Sequence, residues 1–201
     1  MLEARDIAVL RGERMVFAGL GLRVAPGEAV VLIGTNGAGK STLLRTLAGL
    51  LTPAAGDILW QGENVADDPA AHAARLRYLA HADALKAGLT VAENLAFWAR
   101  IWGGAPREAL EALGLEPLAE LPARMLSAGQ RRRLALARLV LAPCPLWLLD
   151  EPSVGLDAAS VDRLGGLLRR HRAQGGMVVA ATHVPLPLDA VRELRLEGYG
   201  A

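Results

Sequence analysis

Lysine is almost missing from this chain. Of 22 basic side chains only Lys40 and Lys86 are lysines, and the others are arginine. With so much alanine beside them, the arginines read as a coding bias of the source genome, so a lysine that persists needs a reason. Cysteine is scarcer still: Cys144 stands alone, which excludes an internal disulfide framework and fits a reducing compartment. Neither sign of charge dominates, with 22 basic residues against 21 acidic ones, so composition alone carries no nucleic-acid footprint. Long apolar runs are lacking as well. The longest, "LVLAPCPLWLLD", is too short to span a bilayer and is broken by Pro143 and Pro145. The opening "MLEARDIAVLRGERM" lacks the charged-then-apolar run of a signal peptide. These absences lead us to expect a cytosolic, soluble fold, apolar enough to imply a partner surface. At 201 residues the chain suits one domain with room for a subdomain.

What is present follows an α/β pattern. "DIAVL", "MVFAGLGLRV" and "DILWQG" alternate as half-buried antiparallel strands do, punctuated by Gly and Pro. "EAVVLIG", "CPLWLLD" and "GMVVAAT" are continuous apolar runs, expected of strands buried on both faces. A helix is expected from about Gly39 to Leu50, and another over "ASVDRLGGLLRRHRA". Helical segments including "TVAENLAFWARIW" and "PREALEALG" fill the middle, predicting a helical subdomain at about 82–135 inserted into a parallel core with a β-rich front.

One helix start is odd. In "RMLSAGQRRRLALARLV", Ser127 suits an N-cap, but Gly129 in the first turn costs roughly 1 kcal/mol. A bare, donor-rich helix end of this kind is suited to an anion. The run Arg131 to Arg133 that follows reads as a solvated face rather than a nucleic-acid patch.

Three motifs supply the anion's chemistry. "GTNGAGKST", Gly34 to Thr42, fits the P-loop pattern between a buried strand and a helix. Its residues Gly34, Thr35, Asn36, Gly37, Ala38, Gly39, Lys40, Ser41 and Thr42 form the candidate ATP-binding loop. Gly34, Gly37 and Gly39 let the backbone present N–H groups to phosphate, Lys40 brings a point charge, and Ser41 offers a hydroxyl to Mg²⁺. "LWLLDEP" ends a buried strand with Asp150, suited to the Mg²⁺ shell, and Glu151, suited to act as general base on water. His183, just past "GMVVAAT", is a third group for the same sheet edge.

The order "GTNGAGKST", "LSAGQ", "LWLLDEP", "SVGLD", "ATH" resembles the nucleotide-binding subunits of ABC transporters almost end to end. The resemblance implies an α/β P-loop ATPase core with an antiparallel β subdomain and an inserted helical subdomain over residues 1–201. It implies hydrolysis of MgATP in a head-to-tail homodimer formed on ATP binding, under transmembrane subunits at the cytoplasmic face of the bacterial inner membrane. Ser127, Ala128, Gly129 and Gln130 would then act in trans on the partner's nucleotide, and Asp157 of "SVGLD" would align the two sites. Two positions depart from the family pattern. His81 stands where the Q-loop glutamine is usual, and we expect it to link nucleotide and membrane partner mechanically. Arg11 stands where an aromatic usually stacks on adenine, with Phe17 as the alternative. These departures, with "RGER…VFAGL" and "THVPLPL", resemble the haem exporter ATPases of cytochrome c maturation, the CcmA family. Haem would be met only indirectly, through partners, and nucleic acid not at all. The short tail is expected to hold no regulatory C-terminal domain.

The alternatives are an ABC exporter ATPase for another substrate and a non-transport regulatory ATPase of the same type. DNA-repair and translation ATPases need a coiled-coil insertion or a second ATPase domain. A non-hydrolysing scaffold would not need Glu151 and His183. In "ENLAFWARIW", Leu95, Phe97, Trp98, Ile101 and Trp102 cover more than one helix face, so some of them are expected to line a groove for a membrane subunit.

Overall fold

The computed structural model describes residues 1–199. Strands β1 (Leu2–Arg11) and β2 (Arg14–Val24) pair antiparallel across a two-residue turn at Gly12 and Glu13. β3 (Ala29–Ile33) leads through the P-loop into α1 (Lys40–Leu47), which ends at Ala48, before Gly49. β4 (Ala55–Trp60) and β5 (Glu63–Asn64) complete an antiparallel sheet in the order β2-β1-β4-β5, as the alternating pattern predicts. Next come α2 (Pro69–Ala74), capped by Asp68, and β6 (Leu76–Leu79), neither of which the sequence pattern resolves. The helical middle follows as α3 (Val91–Trp102), α4 (Pro106–Leu113) and α5 (Ala128–Ala137). β7 (Leu146–Asp150), α6 (Ala158–Ala173), β8 (Met177–Ala181) and β9 (Arg192–Arg195) end the regular structure.

The second sheet is parallel throughout, in the order β6-β7-β8-β3-β9. Its three central strands, β7, β8 and β3, read as near-continuous apolar runs because each face meets a different core. Leu146 and Leu148 of β7 join Leu43, Leu44 and Leu47 of α1 and the front sheet in one buried cluster. Trp147 and Leu149 join Leu95, Leu113, Leu134 and Leu168 of the helices in the other. α3 starts at a capping box in which the Thr90 side chain accepts from Glu93 N, while Glu93 accepts from Thr90 N. β9 is mostly charged and lies at the sheet edge, where only Leu194 packs on the core and Arg192 donates to Glu28 Oε1 at 2.7 Å, which hides it from hydropathy. Cys144 is buried and burial pushes its thiol up, so it is an inert core residue. Among the described residues no helix is long and apolar enough to cross a membrane.

Two histidines lie inside this core. The Nε2 of His72 is 2.8 Å from Leu47 O, and that of His171 is 3.2 Å from Met177 O. His171 also stacks on Trp147, with ring centroids 3.9 Å apart. Burial holds both imidazoles below the ordinary value of 6.5, although the carbonyl bonds act the other way. A base whose folded value is depressed is neutral in the fold and protonates first in the unfolded chain. The stability it contributes is complete above pH 6.5 and declines as pH falls below it. Thermal melts are therefore expected to lose Tm as the pH is lowered past 6.5, and less steeply in His171→Phe, which keeps the stack. An unchanged slope in that variant would remove the assignment.

Candidate active site

Parallel register gathers the chemistry at one edge. Four neighbouring strands each deliver a segment from their C-terminal ends: His81 just beyond β6, Asp150 and Glu151 from β7, His183 beyond β8, and the P-loop beyond β3. Together they line a cavity of about 560 Å³. Such crevices at the carboxyl ends of parallel strands are the usual ligand sites of open α/β sheets.

Within it, Lys40 is 8% exposed, and its Nζ curls back to donate to Gly34 O at 2.5 Å and Thr35 O at 3.1 Å. Ser41 and Thr42 line the same cavity from the first turn of α1. Asp150 is 4% exposed at the end of β7. Glu151 takes a left-handed backbone, φ 49°, unusual for a residue other than glycine. Its N–H donates to Ala181 O at 2.8 Å, tying it to the end of β8. Its carboxylate accepts from His183 N at 3.3 Å and lies 3.6 Å from His183 Nε2. An acid and an imidazole thus face each other over the P-loop, the pairing that proton transfer to or from a reacting water requires.

The two sequence candidates for the adenine end stand in different surroundings. Arg11 lines the cavity, whereas Phe17 is fully buried in the core beneath Gly39. Phe17 is a packing residue. His81 is exposed and lines the cavity.

Two contributors escape the sequence pattern. Arg131 to Arg133 are not a solvated face: Arg132 is 5% exposed, and all three donate to backbone carbonyls. Arg132 reaches Asp150 O at 2.6 Å and Glu151 O at 2.7 Å through one nitrogen, and Ala80 O at 3.1 Å and Asp83 at 2.9 Å through another. It binds α5, the strained Glu151 turn and the segment leading to His81 into one unit. Three adjacent arginines look alike in a sequence, and only their position on the helix decides which is buried. The second is Glu197, whose Oε1 accepts from Thr35 N at 2.9 Å and steadies the P-loop from 162 residues away. No local pattern marks it.

The signature residues stand apart. Ser127 caps α5 as expected, and reciprocally: Gln130 N donates to Ser127 Oγ at 3.2 Å and Ser127 N to Gln130 Oε1 at 2.8 Å. Gly129 has a second reason to be glycine, since a Cβ there would lie 2.8 Å from Gly155 O. Asp157 caps α6, accepting from Ser160 N at 2.8 Å. The Ser160 side chain and backbone hold its carboxyl below the usual range. Neither Ser127–Gln130 nor Asp157 lines the cavity that holds Lys40. One chain therefore carries a phosphate cradle and a separate capped, donor-rich helix end.

A P-loop, a carboxylate-ended strand, an inserted helical unit and that capped helix together define the ATP-binding subunit of an ABC transporter, and residues 17–154 match the ABC transporter family. In fold the chain matches a solved ATP-binding subunit of an ABC transporter with a TM-score of 0.84 and 29% identity, covering 92% of this chain and 80% of that one. It also matches a cassette solved as a dimer in a post-hydrolysis state with ADP and Pi, at TM-score 0.81 and 25% identity, covering 92% and 88%. In sequence it is 53% identical over 203 residues to the cytochrome c biogenesis ATP-binding export protein CcmA of Paramagnetospirillum magneticum, covering 98% of this chain and 94% of that protein. The chain belongs to the CcmA family of ABC ATP-binding proteins.

Proposed function

We propose that the protein hydrolyses MgATP in a head-to-tail homodimer. In this reading it drives the transmembrane subunits of an exporter serving c-type cytochrome biogenesis, at the cytoplasmic face of the bacterial inner membrane. The observation that carries the reading is the half-site: the cradle around Lys40 and the helix end at Ser127 lie on different parts of one chain. Each becomes useful when a second copy brings its helix end to the first copy's phosphates, where the dipole and the N–H donors add their field.

The roles follow from the chemistry. Lys40 and the P-loop N–H groups bind and orient the phosphates. Ser41 and Asp150 supply a hydroxyl and a carboxylate in the same cavity, with no cluster of three titratable ligands among the described residues. That donor set suits Mg²⁺, which takes few protein ligands; Ser41 and Asp150 would hold it, and it would neutralise charge developing on the phosphates. Glu151 accepts a proton from water, and His183 holds the Glu151 carboxylate and orients the water. His81 carries the state of the site toward the helical subdomain, residues 82–135. Phe97, 40% exposed, and Ile101, 58% exposed, meet the membrane partner, whereas Leu95 is core. Haem enters only through that partner.

The test uses Glu151→Gln, which keeps the shape of the site and removes the base. With MgATP it is expected to double its mass in size-exclusion chromatography with light scattering, and adding Ser127→Arg should return it to the monomer. A monomer under saturating MgATP, with turnover independent of protein concentration in the parent chain, would overturn the composite site.

A further inference from the structure

Two arginines outside the ATP cavity are buried with no acid to balance them. Arg77 on β6 is 5% exposed, and Arg138, directly after α5, is 7% exposed. Among the described residues neither forms an ion pair. Arg77 donates from Nη1 to Leu76 O at 2.9 Å, while its Nε is buried with no partner. Arg138 donates from Nε to Ala135 O at 3.2 Å. Each guanidinium lies over an indole, Arg77 4.2 Å from the Trp102 centroid and Arg138 5.5 Å from that of Trp98. The two indoles stack 4.3 Å apart. All four side chains face a cavity of about 270 Å³.

The energies do not balance within the chain. Withdrawing a cation from water costs several kcal/mol even after relaxation. A cation–π contact returns about 0.5–2 kcal/mol. Burial pushes Arg138 down to about 10, with the charge of Asp83 acting the other way. That carboxylate is itself bonded to Arg132 at 2.9 Å, so it does not neutralise the pair. The cavity is therefore cationic, walled by two indoles, and lined otherwise by Tyr78 and aliphatic residues.

Its size and position select the ligand. It is below the roughly 300–1,000 Å³ of sites for whole small molecules but suits one acidic side chain, and the guanidinium fork matches a carboxylate in plane. Beside it, a second cavity of about 320 Å³ shares Trp98 and includes Leu85 and Phe97, one helical turn from exposed Ile101, with Lys86 and Asn94 as its polar lining. A polypeptide with an acid flanked by apolar residues would cover both cavities. We propose that Arg77 and Arg138 receive the carboxylate of an Asp or Glu on a cytoplasmic segment of the transmembrane partner, docked across α3. The proposal rests on the transport reading above and adds the acid that this surface selects.

The test measures binding of the purified transmembrane subunits, in detergent micelles, to the full chain and its variants. Arg77→Met and Arg138→Met keep an apolar contact with the indoles and remove the charge. Each is expected to weaken association about 30-fold or more, to leave the ATPase rate of the isolated chain unchanged, and to melt no earlier than the parent. Arg138→Lys, with the charge but no fork, should weaken it less. Charge reversal, Arg138→Glu, should lose association and regain it when one acidic residue of the partner segment is changed to arginine. Undiminished association of both methionine variants, or an early melt in both with association per folded molecule unchanged, would reduce the cluster to a structural staple and overturn the proposal. Failure of the parent chain itself to bind any transmembrane subunit is a different result, which overturns the transport reading along with it.

Discussion

Replacing Lys40 by alanine is expected to lower ATP turnover about 10²- to 10⁴-fold, and replacing it by arginine to do nearly the same. A hydrogen bond to a charged group contributes about 1.5–3 kcal/mol, and losing two of them spans that range. The alanine effect comes from removing the point charge that meets the phosphates. The arginine effect comes from geometry. Lys40 is 8% exposed, and its single nitrogen already reaches both Gly34 O and Thr35 O inside a tight loop. A planar fork is wider than an ammonium group and does not fit where that nitrogen turns. In a chain that uses arginine for nearly every other cation, this is the physical reason for a lysine here. ATPase rates with fluorescent-nucleotide titrations check it: both variants should lose turnover and affinity while melting at the parent temperature. If Lys40→Arg kept more than half the parent turnover, compactness would not be what the site demands.

Gly104→Ala is expected to be the most damaging single methyl group in the fold. At that position the backbone has φ 90°, and a Cβ would lie 1.5 Å from Leu141 O and 2.4 Å from its carbonyl carbon. Backbone cannot rotate away as a flexible side chain can. The loop after α3 must separate from the segment after α5, exposing part of the helical core. Strain in a conformation open essentially to glycine costs about 1–3 kcal/mol by itself, and the clash adds to it. We expect a loss of about 4 kcal/mol or more, or roughly 8–16 °C in Tm for a domain of this size. Gly103→Ala is the control, since Gly103 has φ 83° with nothing within 4 Å of its Cβ position. It should pay only the conformational cost. Urea titrations of the pair separate clash from strain, and equal losses in the two variants would refute the steric argument.

Much of the site was legible because its motifs are local. The P-loop, the carboxylates ending "LWLLDEP" and the Ser127 cap each depend on residues a few positions apart, where backbone geometry and hydrogen bonding follow directly from residue type. The front sheet, the buried parallel strands and the helices over 91–102, 106–113 and 158–173 were legible for the same reason, through periodicity and capping.

Tertiary structure decided the rest. It chose Arg132 from three identical neighbours, because only that one points from α5 toward the ends of β6 and β7. It made Phe17 core and left Arg11 at the cavity, a matter of which face of β1 and β2 meets α1. It brought Glu197 to Thr35, and Arg77 to Arg138 across the stacked tryptophans, over separations that no sequence pattern encodes. Residue type sets what a side chain can bond to. Which groups stand within reach is set by the strand order and the two cores, and those exist only once the whole chain has closed.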